Sequence, residues 1–557
     1  MKKLLFIALL GCFNLVSAQT WEWGRSGKGM GPHGGGDEES YISTDGFGNV
    51  FILGNFTSDS VIFGGYTLIH SGAYSSTNMA FVKYDSLGNV LWAKNPVGAK
   101  AVGFGVAADS AGNVYITGEF STPTATFGTY TLTNAGAQNI FLVKYNSSGN
   151  VLWAKSAGGT SADIPRGIAL SEANGIKSVY ITGLLQSASS TFGSYTVTSL
   201  GSSGNAFLAK YNASNGNVLW VKNGGGGTHT TYGLGVSADN VGNATITGEF
   251  SSSLISFGSH TLTTAGSDDI FVVRYDALGN VLWAKSAGGI NGDIGWGIAS
   301  DASSNTYVTG GYGSSATFGS YTVTNASYSA VFLAKYDDSG NVLWVKSPIG
   351  KAGTWYGYSA ATDISGNIYI TGSFSDSTIF GLDTLVYPTG SIGNIDPMFI
   401  AKYDPNGNIL CVSVLAGGGD DYSGVATDIY GNAYIGGDFI PTSFLVGPDT
   451  LTRNVGENIF VAKYRCDNGN TSGITQLTSN YAQVTVYPNP NTGTFVIETN
   501  STDKQTVQVF DLNGRLVLSQ NIIGATTIDA STLNEGIYTL TIKTTDGVIN
   551  KKLVILR

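Results

Sequence analysis

The feature that most constrains this fold is a hairpin-like pattern repeated down the chain. It reads FLVKYNSSGNVLWAK from Phe141 to Lys155, with near-copies starting at Phe81, Phe207, Phe271, Phe332 and Phe399 and a truncated copy at Phe460. Each copy has the alternation of two β-strands joined by a turn. Its tyrosine falls at Tyr84, Tyr145, Tyr211, Tyr275, Tyr336, Tyr403 and Tyr464, with steps from 61 (Tyr84 to Tyr145) to 67 residues (Tyr336 to Tyr403). A period of this size means a solenoid or a propeller built from supersecondary units.

A second strand family accompanies the first, such as GNVYITGEF from Gly112 and GNIYITGSF from Gly366, again in seven copies. A third landmark is Phe-Gly before a Thr-rich run, at Phe63, Phe127, Phe192, Phe257, Phe318 and Phe380 and in stretched form at Phe444. Each unit thus offers a small-residue first strand, the VYITG strand, the KY strand and the Trp strand. A short hairpin is inserted between the second and third. Asp-x-x-Gly-Asn turns follow the first strand (Asp109 to Asn113) and the third (Asp276 to Asn280). The Asp side chain can accept backbone N–H bonds, and the Gly supplies positive φ. One carboxylate per turn falls short of the roughly six to eight oxygens that Ca²⁺ takes, so no metal or other cofactor is expected.

First strands carry small residues at alternate positions, such as Gly105 and Ala107 or Gly297 and Ala299. Period two puts them on one face, as strands crowded around an axis require. The fourth-strand Trp occurs at Trp92, Trp153, Trp220, Trp283 and Trp344, with Cys411 in the sixth place and nothing after Asn470. Thr20-Trp21-Glu22-Trp23-Gly24 aligns with that missing strand. The expectation is an all-β, seven-bladed β-propeller over 19–466, closed 3+1 by the N-terminal strand. An open solenoid is the alternative, and it has no use for the N-terminal Trp strand. On the GNVYITG and KYDxxGNVLW strands, Trp21 to Asn470 resembles the SBBP β-propeller repeat family of bacterial surface and secreted proteins. That resemblance speaks to fold rather than function.

MKKLLFIALLGCFNLVSAQ has the basic end, apolar run and small-residue site of a signal peptide, 1–18. A competing reading takes Leu9-Leu10-Gly11-Cys12 as a lipoprotein box, but the Val16-Ser17-Ala18 site before Gln19 favours ordinary cleavage. No later run reaches the length of a membrane helix. Cys411 and Cys466 remain after cleavage. Export permits a disulfide, yet their places in the repeat differ, and the expectation is two half-buried thiols. Net charge −10 excludes a general basic surface for nucleic acid. It also fits a self-repelling protein, expected to be monomeric.

A polar linker, 467–483, precedes alternating strands with Asn-Gly and Asp-Gly turns over 484–557, which predict a small β-sandwich. This segment carries Tyr487-Pro488-Asn489-Pro490, Gly493, Asp511-Leu512, Gly514-Arg515, Gly536-Ile537-Tyr538 and Lys551-Lys552. On those residues it resembles the type IX secretion C-terminal sorting domain. The resemblance implies the type IX machinery as partner, periplasmic transit, and then release or lipopolysaccharide attachment at the surface. In that setting Asp85-Ser86-Leu87, Asp109-Ser110-Ala111, Asp383-Thr384-Leu385 and Asp449-Thr450-Leu451 fit an O-glycosylation pattern.

Chemistry is sparse. His33, His70, His229 and His260 occupy different repeat offsets, and neither HExxH, GxSxG nor a P-loop occurs. Loops joining fourth to first strands and second to third strands open on one face. There lie Glu119, Asp163, Arg166, Glu249, Asp293, Trp296, Trp355, Tyr356 and Asp420, the candidate ligand residues. Phe104, Arg166, Leu234, Trp296 and Tyr358 share one equivalent offset. Aromatics beside carboxylates suit a glycan or cation. The expected function is a non-enzymatic binding or adhesion module for a glycan or surface protein. A propeller glycoside hydrolase or lyase and a structural surface component are the alternatives.

Overall fold

The repeated turns form because their side chains satisfy the backbone. Asp109 Oδ1 accepts the N–H groups of Ala111 and Asn113 at 3.0 and 2.9 Å, and the Asn113 amide closes onto the same carboxylate. The arrangement recurs at Asp45, Asp276, Asp337 and Asp404. Gly112 sits at φ +80°, where a Cβ is strained. In the fifth unit Ser304 takes this place at φ 63°. Carboxylate oxygens engaged in this way hold a turn.

The computed structural model describes residues 19–466, apart from 32–38, 71–76, 174, 326–328, 351–355, 375–377, 382, 386–396, 416–422, 440 and 455–457. It also describes 485–555, apart from 490, 500–503, 512–515 and 545–546. The signal-peptide and linker readings therefore fall outside the described residues. The chain divides into two compact units, Gln19–Cys466 and a C-terminal one. Every regular element described is a strand, and no helix is long and apolar enough to cross a membrane.

The larger unit is all-β and propeller-like, made of small antiparallel sheets. Ser40–Thr44, Val50–Phe56, Asn78–Tyr84 and Val90–Lys94 form the first four-stranded array, each strand beside its sequence neighbour. Five more arrays repeat this order; the second also takes on the third unit's insert hairpin. In the last array Gly424–Thr427, Ala433–Phe439 and Asn458–Cys466 are completed by Gln19–Ser26. Trp23 lies opposite Lys463 there, as Trp92 lies opposite Lys83 in the first array. First strands touch in succession, from Ser40–Thr44 through Ala101–Ala108, Asp163–Ala173, Thr231–Ala238, Asp293–Ser300 and Tyr356–Thr362 to Gly424–Thr427, which touches Ser40–Thr44 again.

Most second and third strands are buried along their whole length; VYITGEF at Val114–Phe120 and NIFLVKY at Asn139–Tyr145 are examples. Sheets pack on both faces, so these strands read as continuous apolar runs. The Lys or Arg before each Tyr is buried too in the first six arrays, and in several it pairs with an Asp of the inner turn. Lys402 Nζ is 3.3 Å from Asp363 and Arg274 Nη2 is 2.6 Å from Asp239. Insert hairpins such as Thr124–Phe127 with Tyr130–Thr133 bridge to the chain leaving the preceding fourth strand, at Val97–Thr126, Gly225–Ser256 and Gly288–Thr317.

One contact fastens each sheet to the next. Trp92 Nε1 donates to the Ser147 carbonyl at 3.2 Å, Trp153 to Ala213 at 3.3 Å, Trp220 to Ala277 at 3.1 Å and Trp283 to Asp338 at 2.9 Å. Trp344 donates to Pro405 and Trp23 to Ser86, both at 3.2 Å. Every acceptor is the second residue after the KY tyrosine. Between the sixth and seventh arrays this place is taken by a disulfide, Cys411–Cys466, with Cα atoms 6.5 Å apart. The expectation of two free thiols is thereby corrected. Cys411 holds the Trp offset and Cys466 the acceptor offset, and those two offsets meet across every sheet interface. Comparing positions within one repeat concealed a pairing that lies between repeats.

In the C-terminal unit Thr485–Tyr487, Thr494–Glu498 and Thr526–Asp529 form one sheet. Leu516–Ile522, Gln505–Phe510, Gly536–Thr544 and Gly547–Ile555 form the other. Phe495, Ile497, Val509, Leu540 and Leu553 lie in a shared core, which makes a sandwich.

Candidate functional site

Five consecutive first strands carry an extra residue. Register against the second strand shifts between Gly103 and Gly105, Pro165 and Gly167, Gly233 and Gly235, Gly295 and Gly297, and Gly357 and Ser359. The residues passed over are Phe104, Arg166, Leu234, Trp296 and Tyr358. A β-bulge re-aims its extra side chain, and all five line a central cavity of about 150 Å³ with Tyr41 of the first array. Small flanking residues are required because neighbouring first strands are so close. A Cβ on Gly297 would come within 2.9 Å of the Ser359 backbone. Residues that vary in type therefore sit at one geometrically fixed position per sheet, around one opening.

A compact charged cluster adjoins it through Arg166. Arg166 pairs with Glu39 at 3.2 Å, and its guanidinium lies 4.4 Å from the Phe104 ring centroid. Tyr41 donates its hydroxyl to Glu39 at 2.5 Å and meets Phe104 edge-on. Glu119, at the end of its second strand, is 8% exposed and accepts from the Gln138 amide, while its Oε2 is buried without a hydrogen-bond partner. Burial pushes its carboxyl up to about 7, with Arg166 opposing and Glu39 adding to the shift. Opposite, Tyr358 donates to or accepts from Ser373 Oγ at 3.1 Å and stacks on Tyr356 with centroids 6.2 Å apart.

Asp163 and Asp293 need correction as ligand residues, since both are fully buried. Asp163 accepts from the N–H groups of Gly159, Gln186 and Ser187 and from the hydroxyls of Ser187 and Ser190. Asp293 accepts from the N–H groups of Gly289 and Gly313 at 2.7 and 3.0 Å. They organise connecting loops, and those donors satisfy their buried oxygens. Glu249 is pushed up to about 7 by burial and by Asp268, away from the cavity lining. Trp355 and Asp420 fall outside the described residues. Tyr41 went unselected in the sequence because its strand has no Gly-x-Gly signal. Phe104 and Leu234 carry that signal, and Tyr358 shares their offset within Gly357-Tyr358-Ser359.

A larger cavity, about 400 Å³, opens where the third unit's inner turn departs from Asp-x-x-Gly-Asn, beside Asp109, Lys144, Lys177 and Asn212. Its cations are internally matched. Lys177 lies 3.3 Å from Asp109 and 3.5 Å from Glu172, and Lys144 donates to the Ala213 carbonyl. The central cavity is the better site.

Buried acids make stability pH-dependent. Glu119, Glu249 and Asp293 are pushed up to about 7 and Asp269 to about 6, with burial the first cause in each case. Reference values are 4.5 for Glu and 3.8 for Asp. Between about pH 4.5 and 7 the native chain thus holds protons that the unfolded chain releases, and stability falls as pH rises. Urea unfolding should give a repeat domain more stable at pH 5 than at pH 8, with each acid pushed up to about 7 contributing on the order of 2 kcal/mol. Equal midpoints would contradict the burial of these acids.

In the sorting motif the Tyr487–Pro488 peptide is cis, Gly493 sits at φ 110° and Gly536 at φ 152°. Tyr538 donates its hydroxyl to the Asn534 carbonyl at 2.8 Å. Asn489 is described just after the first strand of the sandwich, whereas Pro490 and Gly514 are outside the described residues. Lys551 and Lys552 lie in the last strand, Gly547–Ile555.

Among curated proteins the chain is similar to an uncharacterized WD repeat-containing protein of Acanthamoeba polyphaga mimivirus, 29% identical over 217 residues. That match takes in 33% of this chain and 16% of that protein. Among solved structures it is similar to a protein of unknown function from Dyadobacter fermentans, at 8% identity and TM-score 0.36, covering 81% of this chain and 99% of that one. It is also similar to a glycoside hydrolase family 32 protein from Bifidobacterium adolescentis, at 9% identity and TM-score 0.25, covering 93% and 95%. A leech intramolecular trans-sialidase matches at 9% identity and TM-score 0.22, covering 81% and 93%. Residues 485–556 match the family described as secretion system C-terminal sorting domain. The C-terminal unit is such a domain, and the chain is exported by type IX secretion to the cell surface or the medium.

Proposed function

We propose that Gln19–Cys466 is a seven-bladed propeller of the SBBP kind, closed by its N-terminal strand, that serves after export as a non-enzymatic binding module. The ring reading is supported by seven four-stranded arrays among the described residues and by first strands that touch in succession back to the start. The binding reading is carried by one observation. Five bulges deliver Phe104, Arg166, Leu234, Trp296 and Tyr358 to one central opening. A structural ring has no need of unlike side chains at its most uniform position. Aromatic faces beside the balanced Arg166–Glu39 pair suit an uncharged, polar, stackable ligand, namely a terminal sugar of a glycan. The Asp turns are occupied by their own amide donors, and the module works without metal.

A glycan array probed with the mature protein tests this. Binding to a defined glycan is expected, weakened at least tenfold by Trp296→Ala or Arg166→Ala, a loss of about 1.4 kcal/mol or more. Tyr130→Phe, on an insert hairpin, should bind as the parent does. No binding, or a bound glycan indifferent to both cavity variants, would remove this reading.

A further inference from the structure

The sixth interface differs from the others because the chain leaves it. Elsewhere the acceptor of the Trp staple is a carbonyl in a turn joining third and fourth strands, held at both ends. At the seventh array the fourth strand does not follow the third in sequence. The third strand stops at Cys466, and the fourth strand, Gln19–Ser26, comes from the other end of the chain with Gln19 opposite Cys466. A hydrogen bond to a free strand end fixes little, because the acceptor can fray away. The Cys411 sulfur stands where the indole would be, opposite Lys402, as Trp92 is opposite Lys83. Trp21 packs on Tyr464 beside it, with centroids 4.8 Å apart, and its Nε1 donates to Ser413 of the sixth array.

We propose that Cys411–Cys466 is a redox clasp that docks the seventh array, including the N-terminal strand, onto the sixth, and that it is made after the chain leaves the reducing cytoplasm. Two thiols lose two electrons and two protons to an external disulfide, which becomes two thiols. Until then the ring is fastened by six staples and unstapled at one interface, and the seventh array can separate without unfolding the others.

Hydrogen exchange on the full mature chain, oxidised and reduced, is the test. Reduction should raise exchange at least a hundredfold in Gln19–Ser26, Gly424–Thr427 and Asn458–Cys466, and leave strands such as Val114–Phe120 and Ala244–Phe250 unchanged. Cys411→Ser with Cys466→Ser should reproduce the reduced pattern. Cys411→Trp with Cys466→Ser offers only the hydrogen bond used elsewhere, to an acceptor at a strand end, and should recover less than a tenth of the lost protection; full recovery would overturn the need for a covalent clasp. A uniform change across all arrays, or none, would overturn the clasp. The inference rests on the seven-bladed reading, but the two fail differently. If the ring is not closed, the seventh array exchanges rapidly even when oxidised; if only the clasp is wrong, it is protected in both states.

Discussion

Removing residues 20–27 should abolish cooperative folding of the seventh array. The deletion takes away the strand paired with Asn458–Cys466, leaving a three-stranded sheet with an exposed edge. It also removes the Trp23 staple to Ser86, the Arg25–Asp449 pair at 2.8 Å and the Lys463–Glu22 pair at 2.9 Å. Trp23 is buried among Ile42, Val50, Tyr434 and Val461, between the seventh and first arrays. Burying one such side chain is worth roughly 1.5–3 kcal/mol. With the ladder bonds and the lost staple, the cost should exceed about 5 kcal/mol, comparable to the stability of an ordinary domain. Proteolysis should then cut first within 423–466, and the truncated protein should aggregate through its open edge. A truncated chain with unchanged protection there would show that Gln19–Ser26 is not the closing strand.

Removing 484–557 should have the opposite character, with a large effect on location and a small one on folding. The sandwich has its own core and no strand in common with the repeat sheets. The truncated chain should melt with the parent's repeat-domain transition, yet surface or medium levels should fall more than tenfold as material accumulates in the periplasm. Cell fractionation reads this directly. Normal delivery without the tail would overturn the sorting assignment, and loss of the folded repeat domain would show the two units to be interdependent.

How much could be read from the sequence varied with how local the physics is. The Asp-x-x-Gly-Asn turns were fully legible, since each is closed by bonds within five residues, such as Asp276 with Asn280. The N-terminal strand was legible because Trp23 satisfies the same pattern as five later tryptophans. Three features were not. Cys411 and Cys466 look unrelated within a repeat, because their pairing follows the contact between adjacent repeats. Asp163 and Asp293 read as exposed loop acids, since nothing in the string announces that Ser187 or Gly313 will fold over them. The bulges hid in plain alternation. The alternation of Gly105 with Ala107 and Gly297 with Ala299 marks small residues on a crowded strand, and Phe104, Arg166, Leu234, Trp296 and Tyr358 share one offset beside it. That offset also marks the one place per strand where the register slips and the middle side chain turns to the axis.

The O-glycosylation triplets occupy two settings. Ser86 and Ser110 sit in Asp turns whose carboxylates are already engaged, and Thr384 and Thr450 lie in insert hairpins at the edge of the sheets. Ser110, Thr384 and Thr450 are exposed, whereas Ser86 is half-buried.

The central claim is the seven-sheet ring with its binding residues at the axis, and imaging down that axis tests it most directly. Cryo-electron microscopy class averages of the mature, oxidised chain should show a disc of seven lobes around a central opening. Six or eight lobes, or an arc with a gap, would contradict the account.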